Sequence, residues 1–109
     1  MTDKIVVLTT CDSEKAATKL ARELVEARVA ACVNILPGVR SVYRWKDTLE
    51  DAKEWLLVIK SRRDVFSQLR ETVAKLHSYD TPELIALPVV EGSEPYLAWL
   101  DQQITAPKP

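Results

Sequence analysis

Glu54-Trp55-Leu56-Leu57-Val58-Ile59-Lys60-Ser61 is the stretch on which the fold turns. Trp55, Leu57 and Ile59 alternate with Leu56, Val58 and Lys60, so both faces of this strand are apolar through its middle. A strand of that kind is central in its sheet or covered by a partner. Towards the N-terminus, Asp47–Asp51 is polar enough for a hairpin tip. Val39–Lys46 before it has strand character, with Val39, Ser41, Tyr43 and Trp45 on one side and Arg40, Val42, Arg44 and Lys46 on the other. Pro37-Gly38 signals a turn or bend that separates this run from a further strand, Ala30–Leu36. Ile5–Thr10 is short, apolar and β-branched, a buried strand. Asp12 or Ser13 can cap the helix after it, whose apolar face is Ala17, Leu20, Ala21, Leu24 and Val25.

On the other side of the central strand, Asp64 is placed to cap a second helix with the apolar stripe Phe66, Leu69, Val73 and Leu76. Leu84–Val90 is a fourth strand, at an edge or bulged, because Pro88 has no N–H to give a ladder. Pro95–Ile104 reads as a short C-terminal helix with Tyr96, Leu97, Leu100 and Ile104 on its apolar side, and Thr105–Pro109 as a frayed tail. The order predicts an α+β fold: a ferredoxin-like β-α-β-β-α-β sandwich with an antiparallel sheet, both helices on one face, plus the short C-terminal helix. The 109 residues are read as one domain, 1–109, with enough chain for a single core.

The composition is that of an ordinary globular protein, 47% hydrophobic and 28% charged. A net charge of −1 supplies no basic field for nucleic-acid phosphates, so no nucleic-acid partner is expected. No apolar run reaches the ~20 residues needed to cross a bilayer, and no membrane association is expected. Met1–Lys4 leads straight into the first strand without the basic and apolar segments of a signal peptide. Together with two cysteines, Cys11 and Cys32, this predicts a cytoplasmic protein with reduced thiols.

His77-Ser78-Tyr79-Asp80-Thr81-Pro82-Glu83 concentrates the chemistry and holds the only histidine. It joins the second helix to the fourth strand, where side chains are exposed on a rigid support. In a sheet of strand order 4-1-3-2 the end of strand one and the start of strand four lie at the same end. Cys11 is therefore expected beside His77, Tyr79 and Glu83, and Cys32 at the opposite end. Thiolate, imidazole and carboxylate together suit copper or zinc, so His77, Cys11 and Glu83 are the candidate metal ligands. The following helix N-terminus is expected to favour the Cys11 thiolate. The alternative reading is structural: His77 caps the second helix, Cys11 is a small buried residue at a strand end, and Glu83 bonds backbone around Pro82. Cys32 reads as core packing.

Tyr43, Trp45 and Trp55 lie on a hairpin too extended for so small a domain to cover, which predicts an oligomer contact. Lys60, Arg62 and Arg63 form a small basic cluster, either a solvated surface run or an anion site at the second helix.

The 77–83 segment resembles the His-x-Tyr-x-x-Pro-Glu segment of the CutA family, the divalent-cation tolerance proteins. Ala31-Cys32-Val33-Asn34-Ile35 agrees with that family, as does Ser41-Val42-Tyr43-Arg44-Trp45 followed by Glu54 and the strand to Lys60. The resemblance implies a homotrimer of ferredoxin-like subunits, similar to the PII signalling proteins, with inter-subunit pairing through the long hairpin. It implies divalent-metal binding, copper above all, and no established catalysis. Where some members carry a proposed copper-ligating cysteine, this chain has Thr9, with Cys11 two residues on and on the same sheet face. Leu76 stands where some members carry a second histidine.

The sequence therefore favours a trimeric copper or zinc binding and response protein. Alternatives are a PII-like anion or metabolite sensor using Tyr79, Lys60, Arg62 and Arg63, or a trimeric docking scaffold. An enzyme built on a Cys11–His77 nucleophile pair is conceivable; no Gly-rich phosphate loop is present.

Overall fold

A computed structural model of the chain describes residues 1–105. The elements run β1 (Lys4–Cys11), α1 (Glu14–Glu26), β2 (Cys32–Trp45), β3 (Thr48–Arg62), α2 (Phe66–Leu76), β4 (Ile85–Pro88) and α3 (Glu94–Gln103). The sheet order is β2-β3-β1-β4, antiparallel throughout, as expected for the ferredoxin-like arrangement. β3 is a central strand and β4 an edge, where the missing N–H of Pro88 is tolerated.

Side chains alternate along each strand, so the register sorts the sheet into two faces. Ile5, Val7 and Cys11 of β1 share one face with Leu57 and Ile59 of β3, and all five are buried against α1 and α2. Leu20 and Leu24 of α1 and Leu69 and Val73 of α2 close this core. Ser13 caps α1, its side chain accepting from the Ala16 N–H at 3.0 Å. The other face carries Val6, Leu8, Leu56 and Val58, half-buried, with Leu36, Ile85 and Leu87 exposed. Only its lower end is covered, by α3. Leu100 and Ile104 pack with Ala31 and Val65 there, and Asp101 bridges Lys4 and Arg62 at 3.2 Å each.

β2 and β3 extend beyond the rest of the sheet. β1 pairs with β3 only as far as Trp55, whereas the β2–β3 ladder continues from Val39↔Glu54 to Trp45↔Thr48. This two-stranded ribbon gives the molecule a long axis of 44 Å against 27 and 23 Å. The radius of gyration is 14.4 Å, against about 13 Å for a compact chain of this length.

Several local expectations are corrected. Pro37-Gly38 does not end a strand: it forms a bulge in a continuous β2, with Gly38 at φ 76°, and the extra residue flips the side-chain phase beyond it. The hairpin tip is not Asp47–Asp51 but the two residues Lys46 and Asp47, both at positive φ (50° and 62°), as a tight primed turn requires. Asp64 does not cap α2. Its carboxylate accepts from Arg62 Nε at 2.7 Å, and a 3-10 turn at Arg63–Val65 leads into the helix. The fourth strand is four residues, shorter than Leu84–Val90. Of the expected tail, Ala106–Pro109 lies outside the described residues, and the Thr105 N–H bonds to Arg28 O at 3.1 Å.

Leu57 is fully buried at the centre of β3. Leu57→Ala is expected to lower the unfolding free energy by about 3 kcal/mol, within the 2–5 range for such cavities. Denaturant titration at fixed protein concentration measures this, and a loss under about 1 kcal/mol would contradict a central β3.

Candidate functional site

His77 follows the last turn of α2 with extended backbone (φ −75°, ψ 140°), and its N–H closes the helix on Val73 O at 2.8 Å. Its ring is then held from both sides. The Tyr79 N–H donates to Nδ1 at 3.1 Å. Nδ1 is therefore an acceptor, and Nε2 carries the proton that it donates to Thr10 O at 2.7 Å. The ring is a neutral imidazole that latches the α2–β4 connection to the end of β1. Cys11 Sγ lies 3.9 Å from Nε2, so the structure brings Cys11 and His77 together as the topology predicts.

Tyr79 occupies the other side of this latch, its ring 4.8 Å from that of His77. Its hydroxyl donates to Glu54 Oε2 at 2.6 Å. Glu54 is only 4% exposed. Burial, and next the bond to Glu54, push the Tyr79 phenol above its ordinary value, so it stays a donor. Periodicity alone gives Glu54 only as the start of a strand. Its phase with Leu56 and Val58, a charged residue on an apolar face, was the available signal.

Glu54 and Tyr79 lie at the base of a cleft of 610 Å³ between the root of the ribbon and the 79–83 connection. Thr10, Ser41, Tyr43 and Trp45 form its walls, and Asp80, Thr81 and Glu83 its rim. The lining holds three carboxylates and no lysine or arginine.

Glu83 is exposed on that rim and is not gathered with Cys11 and His77. Among the described residues no three of His, Cys, Asp and Glu form a group that could hold a metal ion. The expected Cys11 thiolate is also corrected. The thiol is buried, and burial first, then the Asp12 and Glu54 carboxylates, push it up to about 11. α1 begins only at Glu14, and its dipole does not offset these effects. Cys32, expected in the core, is half-buried on the face that the helices leave open. The basic cluster is dispersed at the far end from the cleft. Lys60 bonds Asn34, and Arg62 is matched by Asp64 and Asp101.

The fold and this latch define an α+β protein of the ferredoxin-like class, with a polar site where helix, strand end and hairpin root converge. The family model for the CutA1 divalent ion tolerance protein matches residues 5–103, and the chain belongs to that family. The divalent-cation tolerance protein CutA of Thermus thermophilus is 48% identical over 95 residues, spanning 87% of this chain and 92% of that relative. The chloroplastic CutA of Arabidopsis thaliana is 47% identical over 96 residues, and the match spans 53%, about half, of its length. Among solved structures, CutA from Xylella fastidiosa superposes with a TM-score of 0.93 at 36% identity, covering 95% of this chain and 100% of that one. The Thermus thermophilus protein gives 0.91 at 45% identity, covering 94% and 99%.

Two outcomes follow from the geometry. With the Cys11 thiol at about 11 against an ordinary 9.0, neutral-pH alkylation in a Cys32→Ser variant should be about a hundredfold slower than for a free thiol. The same raised value stabilises the fold fully below pH 9, and that contribution fades as pH rises through about 11. Timed mass spectrometry with iodoacetamide reads the rate, and free-thiol reactivity would refute the buried assignment. Tyr79→Phe leaves the buried Glu54 carboxylate without its donor and is expected to cost about 2 kcal/mol. Unchanged thermal stability would show that the bond contributes nothing.

Proposed function

We propose that this protein is a cytoplasmic, non-catalytic homotrimer that binds a divalent metal ion, copper or zinc, as part of metal-ion tolerance. His77 and Cys11 are the first ligands and Glu83 the third. The observation that carries the reading is the 3.9 Å approach of Cys11 Sγ to His77 Nε2 in a member of a divalent ion tolerance family. Imidazole and thiolate suit copper or zinc, so the donor chemistry fits. The protonation states set a condition. His77 Nε2 must give up the proton it shares with Thr10 O, and Cys11 must lose the proton that burial holds on it. Glu83 must move in from the cleft rim. Metal binding should therefore release protons and strengthen with pH.

Trimerisation is supported by the open sheet face and the projecting ribbon. An isolated two-stranded ribbon is at best marginal in water, and Leu36, Ile85 and Leu87 lie exposed on the same face. A cytoplasmic location is supported by two unpaired cysteines. Among the described residues no helix is long and apolar enough to cross a membrane. The nucleophile-pair reading loses support, because a ring that donates through Nε2 cannot accept the Cys11 proton there. The anion-sensor reading loses support because the charged side chains lining the cleft are all carboxylates and the basic cluster lies at the far end.

Copper and zinc titration of the reduced protein by calorimetry, at pH 6 and pH 8, tests the metal assignment. One ion per chain, bound more tightly at pH 8 and weakened about tenfold or more in His77→Ala, is the expected result. Binding that His77→Ala leaves unchanged would contradict it.

A further inference from the structure

The two hydrogen bonds of the His77 ring oppose its use as a ligand. Nδ1 accepts the Tyr79 N–H at 3.1 Å, and Nε2 donates to Thr10 O at 2.7 Å. A backbone N–H can only donate and a carbonyl oxygen can only accept, so these partners admit one neutral tautomer, protonated at Nε2. A ligating histidine keeps its proton on the other ring nitrogen and donates it to an oxygen. Tyr79 blocks that arrangement. Ligation through Nε2, the nitrogen 3.9 Å from Cys11 Sγ, requires the proton at Nδ1. There it would face the Tyr79 N–H, donor against donor. Ligation through Nδ1 takes the lone pair that the Tyr79 N–H now uses. Either route breaks the Tyr79 N–H bond.

Tyr79 is held at three points, and two of them are on His77. Its N–H sits on Nδ1, and its ring lies 4.8 Å from the imidazole. The third is the hydroxyl, which donates to Glu54 Oε2 at 2.6 Å. Glu54 pairs with Val39, the first β2 residue beyond the bulge, and directly precedes Trp55, where the β1 pairing ends. The contacts therefore run from the imidazole to the root of the ribbon, all within one chain.

We propose that His77 is a switch: on ligating a divalent metal ion it releases Tyr79, and the Tyr79 phenol in turn releases Glu54 at the root of the β2–β3 ribbon. This rests on the metal-binding function proposed for His77 and Cys11, and adds what occupancy of that site does. The ring stays neutral on the Nε2 route, because Nδ1 takes up a proton as Nε2 gives one away. The bonds that hold Tyr79 in the metal-free state oppose ligation. Weakening the Tyr79–Glu54 bond should therefore tighten metal binding, the reverse of what a merely structural role for Tyr79 would give.

The test uses the intact, reduced protein with zinc(II), which is diamagnetic, and 15N-labelled histidine. His77 is the only histidine and gives a single ring spectrum. Without metal, Nδ1 should appear as an unprotonated acceptor and Nε2 as protonated. At saturating zinc, Nδ1 should be protonated or zinc-bound. The Tyr79 amide should then exchange with solvent about tenfold or more faster, with the β1 and β3 amides unchanged. Tyr79→Phe, which keeps the backbone N–H, should bind zinc about threefold or more tightly than the wild type. Zinc bound through His77 with Tyr79 exchange unchanged would overturn the switch and leave the metal assignment standing. Equal or weaker zinc binding by Tyr79→Phe would do the same. Zinc binding that His77→Ala leaves unchanged, or no saturable binding, would remove both.

Discussion

Both helices of the β-α-β-β-α-β run lie on the same face of the sheet, and the opposite face is left open over most of its area. The rest of the structure depends on this one-sidedness. On the covered face, Val7, Leu57 and Ile59 are completely buried beneath Leu24, Leu69 and Val73, which ties the strands and helices into one core. On the open face, the same pleat that buries those residues turns Val58, Ile85 and Leu87 outward. α3 covers only one end, held by Asp101 between Lys4 and Arg62. Burial tends to raise the Asp101 carboxyl, and the two cations override it, holding the group below the usual carboxylate range. Apolar patches of this extent support the proposed contact between copies of the chain.

The same geometry assembles the polar site. β1 ends where β4 begins, because the two are antiparallel neighbours, and α2 delivers His77 to that point. A single imidazole then joins α2, β1 and the connection to β4 through Thr10 O and the Tyr79 N–H. Beyond this point the β2–β3 ladder runs on alone, and Glu54 is the first β3 residue past the end of the β1 pairing. The cleft thus arises where the sheet, with β3 paired on both sides, gives way to a two-stranded ribbon. Metal binding at His77 and Cys11 would dismantle part of the latch, which links any bound ion to the fit of the α2–β4 connection.

Much of this was legible from periodicity. The apolar character of both faces of Trp55–Lys60 marked β3 as central, Pro88 marked β4 as an edge, and the strand order followed. The alternation of Val39, Ser41, Tyr43 and Trp45 puts Tyr43 and Trp45 on one side, whereas Trp55, expected with them in an oligomer contact, packs against the core on the helix-covered face. Other features were hidden for physical reasons. Lys46-Asp47 lacks the Asn-Gly chemistry that announces a primed turn, so the hairpin tip was misplaced. Asp64 had two uses open to it, a helix cap or an ion pair, and Arg62 decided between them. The Tyr79–Glu54 bond spans 25 residues and joins β3 to the α2–β4 connection, which no local pattern encodes. Cys11 lies beside His77 as the topology predicts, but its raised pKa follows from burial, from Asp12 and from Glu54, a long-range neighbour.

The open sheet face and the ribbon are proposed to form an interface between copies of this chain. Light scattering coupled to size exclusion measures that directly. A single species with three times the 12.3 kDa mass of the chain, unchanged on dilution to micromolar concentration, is expected. A monodisperse 12.3 kDa monomer under the same conditions would contradict it.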